Sequence, residues 1–183
     1  MNRYKINRSV IYGTILLTII STFAANGEIP LPKGIIKLNG DPAPSLVLTD
    51  IDENKFDLKQ YQGKWVFVHF WATWCGPCRK EMPTINQIYP QFKDSKLKIV
   101  VINTAESEDI IFNFLGIAAP DMVPLLDRDG LVTAKWRPRG LPSTYFVDPK
   151  GKLRYLALGG RPWNEKTYID FLQALSISPN EIQ

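Results

Sequence analysis

Trp65-Val66-Phe67-Val68-His69-Phe70-Trp71-Ala72-Thr73-Trp74-Cys75-Gly76-Pro77-Cys78 is the stretch on which the fold turns. Its first seven residues are almost wholly apolar, as expected of a central strand covered on both faces. The two cysteines follow at C-x-x-C spacing and are the only cysteines of the chain. Beyond them Ile85, Ile88, Tyr89 and Phe92 recur at helical spacing, so a helix begins at the cysteines. Pro83 falls inside that helix and is expected to kink it, because proline removes a donor and crowds the preceding turn. A dithiol therefore sits on a strand-to-helix turn. Unpaired N–H groups and the positive end of the helix dipole at that turn favour a thiolate at Cys75. Cys78, one turn on, is expected to be the more buried thiol. Attack by Cys75 on a disulfide gives a mixed disulfide, and Cys78 then displaces the reduced product.

Outward from the motif, the rest of the chain alternates short strands and helices. Strands are expected at Ser45–Thr49, Lys55–Leu58, Leu97–Asn103, Leu125–Leu126, Ser143–Val147 and Leu153–Leu158. Helices are expected from a Ser107 cap to about Leu115, near Val132–Trp136, and from an Asn164 cap to about Leu175. Asp148-Pro149-Lys150-Gly151 marks a hairpin turn. Strands alternating with helices, then a terminal hairpin and helix, give an α/β fold: a mixed sheet with helices on both faces.

The 183 residues allow one domain and a small appendage. With 45% hydrophobic residues the chain can bury a substantial core. The formal charge of +4 owes three cations to Arg3, Lys5 and Arg8, so the body is close to charge balance. A nucleic-acid partner is not indicated. Those cations precede an apolar run from Val10 to Phe23 and the small residues Ala24 and Ala25, the order of a secretory signal peptide. The run is also marginally long enough for a retained signal anchor. Either form places residues 26–183 outside the cytoplasm, at the periplasmic or extracytoplasmic face of the membrane. The expected organisation is a leader over 1–25, a proline-broken linker over 26–38, a domain over 39–178 and a tail over 179–183.

Other uses of two cysteines fit less well. A zinc site lacks a second pair, and His69 is the only histidine. A c-type haem attachment needs histidine after the second cysteine, where Arg79 stands. A purely structural disulfide would close a very small loop, where cross-linking gains least. No metal or other cofactor is expected.

With the motif placed on its turn, the chain resembles the thioredoxin superfamily, and within it the exported TlpA/ResA-type thiol–disulfide oxidoreductases, which include the CcmG/DsbE cytochrome c maturation thioredoxins. The likeness runs from about residue 39 to 175. It is carried by Gly40-Asp41-Pro42-Ala43-Pro44, Gly63-Lys64-Trp65-Val66, Phe70 through Pro83, Val100-Val101-Ile102-Asn103 and Gly140-Leu141-Pro142-Ser143-Thr144-Tyr145-Phe146-Val147-Asp148. It implies a thioredoxin-like fold with an N-terminal β extension and an extra helix and strand between the active-site helix and a cis-proline.

The resemblance carries over several residues. Pro142 matches the cis-proline beside the dithiol. Leu141 matches the exposed backbone that pairs with an extended substrate strand. Glu81 matches an acid that tunes thiol ionisation. Pro83 matches the kinking proline. Thioredoxins carry a buried acid six residues before the first cysteine, where this chain has His69; it is read as a proton shuttle to Cys78 or as a hydrogen-bonded core residue. Ser143 replaces the acid that tends to follow the cis-proline in the cytochrome c maturation subgroup, which weakens that particular likeness. Trp74 is expected at the surface, and Trp71, Trp74, Leu141 and Trp136 are considered as an apolar apron round the dithiol.

Gly76-Pro77 between the cysteines resembles the reducing thioredoxins. The expected function is reduction of disulfides in envelope proteins, including apocytochrome c and copper-site assembly proteins. Electrons are expected from a membrane thiol relay of the DsbD/CcdA kind, and the protein is expected to be a monomer. Three alternatives stand beside this: a disulfide oxidant or isomerase, a non-catalytic thiol metallochaperone, and a peroxidase. The P-x-x-x-T-x-x-C pattern of peroxiredoxins is absent, since Ala72 stands three residues before Cys75.

Overall fold

The computed structural model describes residues 30–177. The leader expected over 1–25 and the tail expected over 179–183 lie outside the described residues. Eight strands form one sheet: β1 (Ile35–Lys37), β2 (Val47–Thr49), β3 (Lys55–Asp57), β4 (Trp65–Trp71), β5 (Leu97–Thr104), β6 (Leu125–Asp127), β7 (Ser143–Val147) and β8 (Leu153–Leu158). Four α-helices accompany them: α1 (Gly76–Phe92), α2 (Glu108–Ala118), α3 (Leu131–Trp136) and α4 (Lys166–Ile177). The sheet order is β1-β8-β7-β4-β5-β6-β2-β3. The result is a thioredoxin-like mixed sheet flanked by helices.

Strand β4 lies in the middle, parallel to β5 and antiparallel to β7. All seven of its residues are buried, which is why it reads as an unbroken apolar run rather than an alternating one. Alternation still sorts its side chains. Trp65, Phe67 and Trp71 join a core with Ile85, Ile88 and Phe92 of α1, Ile111 and Leu115 of α2, and Phe171 and Leu172 of α4. Val66, Val68 and Phe70 point to the other face and pack with Leu46, Val132 and Trp136. Helix α2 and strand β6 fill the long stretch between α1 and Pro142, β6 lying parallel to β5.

Two details differ from the sequence reading. Ile35–Lys37, inside the expected linker 26–38, forms β1 and pairs with β8; three residues among prolines and glycine give too short a period to announce a strand. Asn164 does not cap α4. The Glu165 carbonyl accepts from the Tyr168 and Ile169 N–H groups, and the Asn164 side chain donates instead to Gln87 at 2.8 Å. Helix α1 runs to Phe92, as the apolar spacing predicts, with Pro83 and Pro90 in its interior.

Buried Asp127 ties β6 to α3. Its carboxylate accepts the N–H groups of Val132 and Thr133 and the Thr133 hydroxyl. Asp127→Ala strands three donors at the start of α3, each costing about 1 kcal/mol or more. We expect urea unfolding of this variant to show a loss of about 3 kcal/mol; a loss under about 1 kcal/mol would mean that water replaces the carboxylate.

Candidate active site

At the end of β4 the chain turns through Ala72-Thr73-Trp74 into α1. Cys75 is the N-cap of that helix, and its sulfur accepts the N–H of Cys78 at 3.3 Å. The pair is joined as a disulfide. Cys75 keeps 5% exposure and Cys78 none, so the first cysteine is the one an incoming sulfur can reach. In the reduced form the same N–H and the helix dipole stabilise negative charge on Cys75. This geometry supports thiol–disulfide exchange with Cys75 attacking and Cys78 resolving.

The dithiol turn is held from both sides. The Glu106 carboxylate, from the loop after β5, accepts the Thr73 N–H at 2.7 Å and the Thr73 hydroxyl at 2.5 Å. It also accepts from the Asn103 amide at 2.7 Å. Arg79 donates to the Thr73 carbonyl at 3.3 Å, with its guanidinium 5.1 Å from the Phe114 ring centre. Glu106 was not singled out from the sequence. It lies 33 residues from Thr73, and only the parallel pairing of β4 with β5 brings the two loops together.

Glu81 lies one turn beyond Cys78 on the buried face of α1. Its carboxylate accepts a hydrogen bond from the Trp163 indole N–H, while Oε2 has no partner among the described residues. Burial pushes its pKa up to about 8, against the opposing pull of the Trp163 hydrogen bond and of Arg161. At neutral pH Glu81 is therefore mostly a protonated acid beneath the dithiol. Trp163 and Gly160 were also missed in the sequence. They belong to the loop between β8 and α4, where a side chain on Gly160 would stand 3.3 Å from the Pro77 carbonyl oxygen.

The Leu141–Pro142 peptide bond is cis. Ser143, the next residue, opposes Phe70 near the end of β4, so Pro142 sits at the sheet end that carries the dithiol. Leu141 is half-buried and packs against the core that contains Cys75 and Cys78. Its backbone N–H and carbonyl have no hydrogen-bond partner among the described residues, which leaves them open to a strand laid alongside. Trp74 is 71% exposed. Trp71 and Trp136 are not part of an apron: both are buried, Trp71 against Phe114 and Trp136 against Phe70 and Tyr145. Alternation along β4 and the inward face of α3 turn them into core.

His69 is completely buried on β4, with Nδ1 2.9 Å from the Thr144 hydroxyl and Nε2 unpartnered among the described residues. Desolvation lowers its pKa to about 3, so the ring is neutral at physiological pH. The structure gives it the hydrogen bond within the sheet, between β4 and β7.

Fold and site together define a thioredoxin-fold protein with one redox dithiol. Residues 39–156 match the AhpC/TSA family, and the chain belongs to that family. It is similar to the thiol-disulfide oxidoreductase ResA of Bacillus thuringiensis subsp. konkukian (strain 97-27), 34% identical over 62% of this chain and 66% of that one. Against ResA of Bacillus subtilis (strain 168) the identity is 35% over 66% of this chain and 67% of the other. The match thus spans about two thirds of these relatives. Among solved structures, the pneumococcal exposed lipoprotein thioredoxin Etrx1 of Streptococcus pneumoniae strain TIGR4 superposes with a TM-score of 0.60 at 26% identity, covering 72% of this chain and 98% of that one.

The position of Glu81 makes a pH prediction. Its folded pKa of about 8 lies above the ordinary 4.5, so the folded state holds the proton more tightly. The stabilising contribution is complete below 4.5 and is lost as pH rises towards 8. With the disulfide intact, stability attributable to Glu81 should fall by on the order of a few kcal/mol between pH 5 and pH 9. Glu81→Gln keeps an acceptor for Trp163 and should flatten that fall in urea unfolding. Equal slopes in both proteins would show that Glu81 is ionised throughout.

Proposed function

We propose that this protein is an exported thiol–disulfide oxidoreductase that reduces disulfides in envelope proteins. The observation that carries the reading is the Cys75–Cys78 pair at the N-terminus of α1, at the same sheet end as cis Leu141–Pro142. Cys75 is the nucleophile and Cys78 the resolving thiol. The substrate chain lies beside Leu141, pairing with its open N–H and carbonyl. In the first step the Cys75 thiolate attacks one substrate sulfur, and the second substrate sulfur leaves and takes up a proton. Deprotonated Cys78 then attacks Cys75, giving the intramolecular disulfide and a fully reduced substrate. Glu81, protonated at neutral pH, is placed to exchange a proton with the thiol one turn above it. Trp74, the residue before Cys75, presents an exposed apolar ring.

Reduction rather than oxidation is supported by Gly76-Pro77 between the cysteines and by similarity to ResA. An extracytoplasmic location is supported by the basic–apolar–small order of residues 1–25, as a cleaved signal or a retained anchor, and by likeness to an exposed lipoprotein thioredoxin. An oxidising compartment demands an electron source, and a membrane thiol relay of the DsbD/CcdA kind is the class that fits. Apocytochrome c and copper-site assembly proteins are two classes of target within this reading, and the protein acts as a monomer.

Three measurements test this. Equilibration with glutathione should give a reduction potential near the roughly −270 mV of thioredoxin; a value near the roughly −120 mV of DsbA would make the protein an oxidant. In Cys78→Ser the resolving thiol is gone, so mixed disulfides on Cys75 should accumulate in the cell envelope and be identified by mass spectrometry. Cys75→Ala should abolish reduction of a peptide disulfide, and retained activity there would overturn the assignment of the nucleophile.

A further inference from the structure

Helix α2 has more apolar surface than the core uses. Ile111 and Leu115 are buried, whereas Ile110, Phe114 and Ile117 form a second stripe at i, i+4 and i+7. Ile110 is 51% exposed and Ile117 is 90% exposed. This stripe forms one wall of an open groove of about 720 Å³, and the first turns of α1 form the other with Arg79, Lys80 and Pro83. Thr73 closes the groove at the dithiol end. Two residues of chain span at most about 7 Å, so that end lies within about 7 Å of Cys75 along the backbone.

The lining contains two cations and no carboxylate. Among the nearby acids, Glu106 stands at the dithiol end, where it accepts from Thr73 and Asn103, while Glu108 pairs with Arg128 and Asp121 with Asn86. Asp109 is exposed in the first turn of α2, beside Ile110, and does not line the groove. Arg79 is held in place over Phe114 and by its bond to Thr73, so positive charge is fixed where the groove meets the dithiol. From Ile110 to Ile117 the helix rises about 10 Å, the length of about three extended residues.

We propose that this groove between α1 and α2 docks a segment of the substrate polypeptide: about three extended residues that carry apolar side chains for Ile110, Phe114 and Ile117 and a carboxylate for Arg79 and Lys80, close in sequence to the disulfide under attack. The proposal rests on the oxidoreductase reading above and adds a substrate preference to it. Leu141 offers backbone pairing, which is blind to sequence. The groove offers side-chain selection.

The test uses the reduced full-length protein and three synthetic peptides with the same disulfide. One is flanked by leucines and aspartates, one by leucines and lysines, and one by serines and aspartates. We expect the wild-type protein to reduce the first at least tenfold faster than either of the others. Ile117→Asp, at a site exposed enough to leave folding intact, should cut the leucine advantage to threefold or less. Lys80→Glu should reverse the preference for aspartate over lysine. Ratios between peptides cancel any change in the reactivity of the dithiol itself. Equal, measurable rates for all three peptides, or preferences that survive both substitutions, would overturn the groove and leave the oxidoreductase reading standing. Failure to reduce any peptide would overturn both. If light scattering shows a dimer that Ile117→Asp dissociates while peptide rates are equal, the stripe is a contact between two copies of this chain and the proposal fails.

Discussion

The site depends on the burial of β4. Seven consecutive residues out of contact with water, hydrogen-bonded on one side to β5 and on the other to β7, have no alternative register. A slip of one residue would exchange Phe67 and Trp71 for Val68 and Phe70 on the face beneath α1. Because the strand cannot slide, the point at which it ends is fixed, and Cys75 begins there. The dithiol sits at the edge of the core, with only Cys75 reaching the surface.

Around that fixed point the fold assembles groups from four separate places in the chain. Thr73 is clamped by Glu106 and Arg79. Glu81 is kept protonated by burial under the loop that carries Gly160 and Trp163. Leu141 and Pro142 arrive through the antiparallel pairing of β7. These contacts have different chemical effects. The helix N-terminus favours thiolate on Cys75, whereas a neutral acid below Cys78 holds a proton in the interior. Two sulfurs three residues apart are thereby placed in unlike surroundings, as a sequential attack and resolution requires.

Peroxidases and disulfide reductants can share this fold, and here the residues separate the two uses. A peroxidatic site needs a threonine three residues before its cysteine, and Ala72 stands there, buried. The adjacent second cysteine and the disulfide it forms are instead suited to exchange with another disulfide.

Sequence alone determined the parts of this protein that depend on near neighbours. The apolar run 65–71, the C-x-x-C after it, the helical spacing of Ile85, Ile88 and Phe92, and the hairpin turn at Asp148 to Gly151 each act within about a dozen residues, so their pattern survives in one dimension. β1 escaped because a three-residue edge strand takes its identity from β8, more than a hundred residues away. Whether a tryptophan was core or surface was decided by the face it occupied: Trp74 lies beyond the strand and Trp71 within it. The tertiary structure alone decided the electrostatics. Glu81 could have been an ordinary first-turn carboxylate and His69 a titrating base. Removal from water made the first an acid with a pKa of about 8 and the second a neutral ring, because the cost of a buried charge depends on everything packed around it and not on its neighbours in sequence.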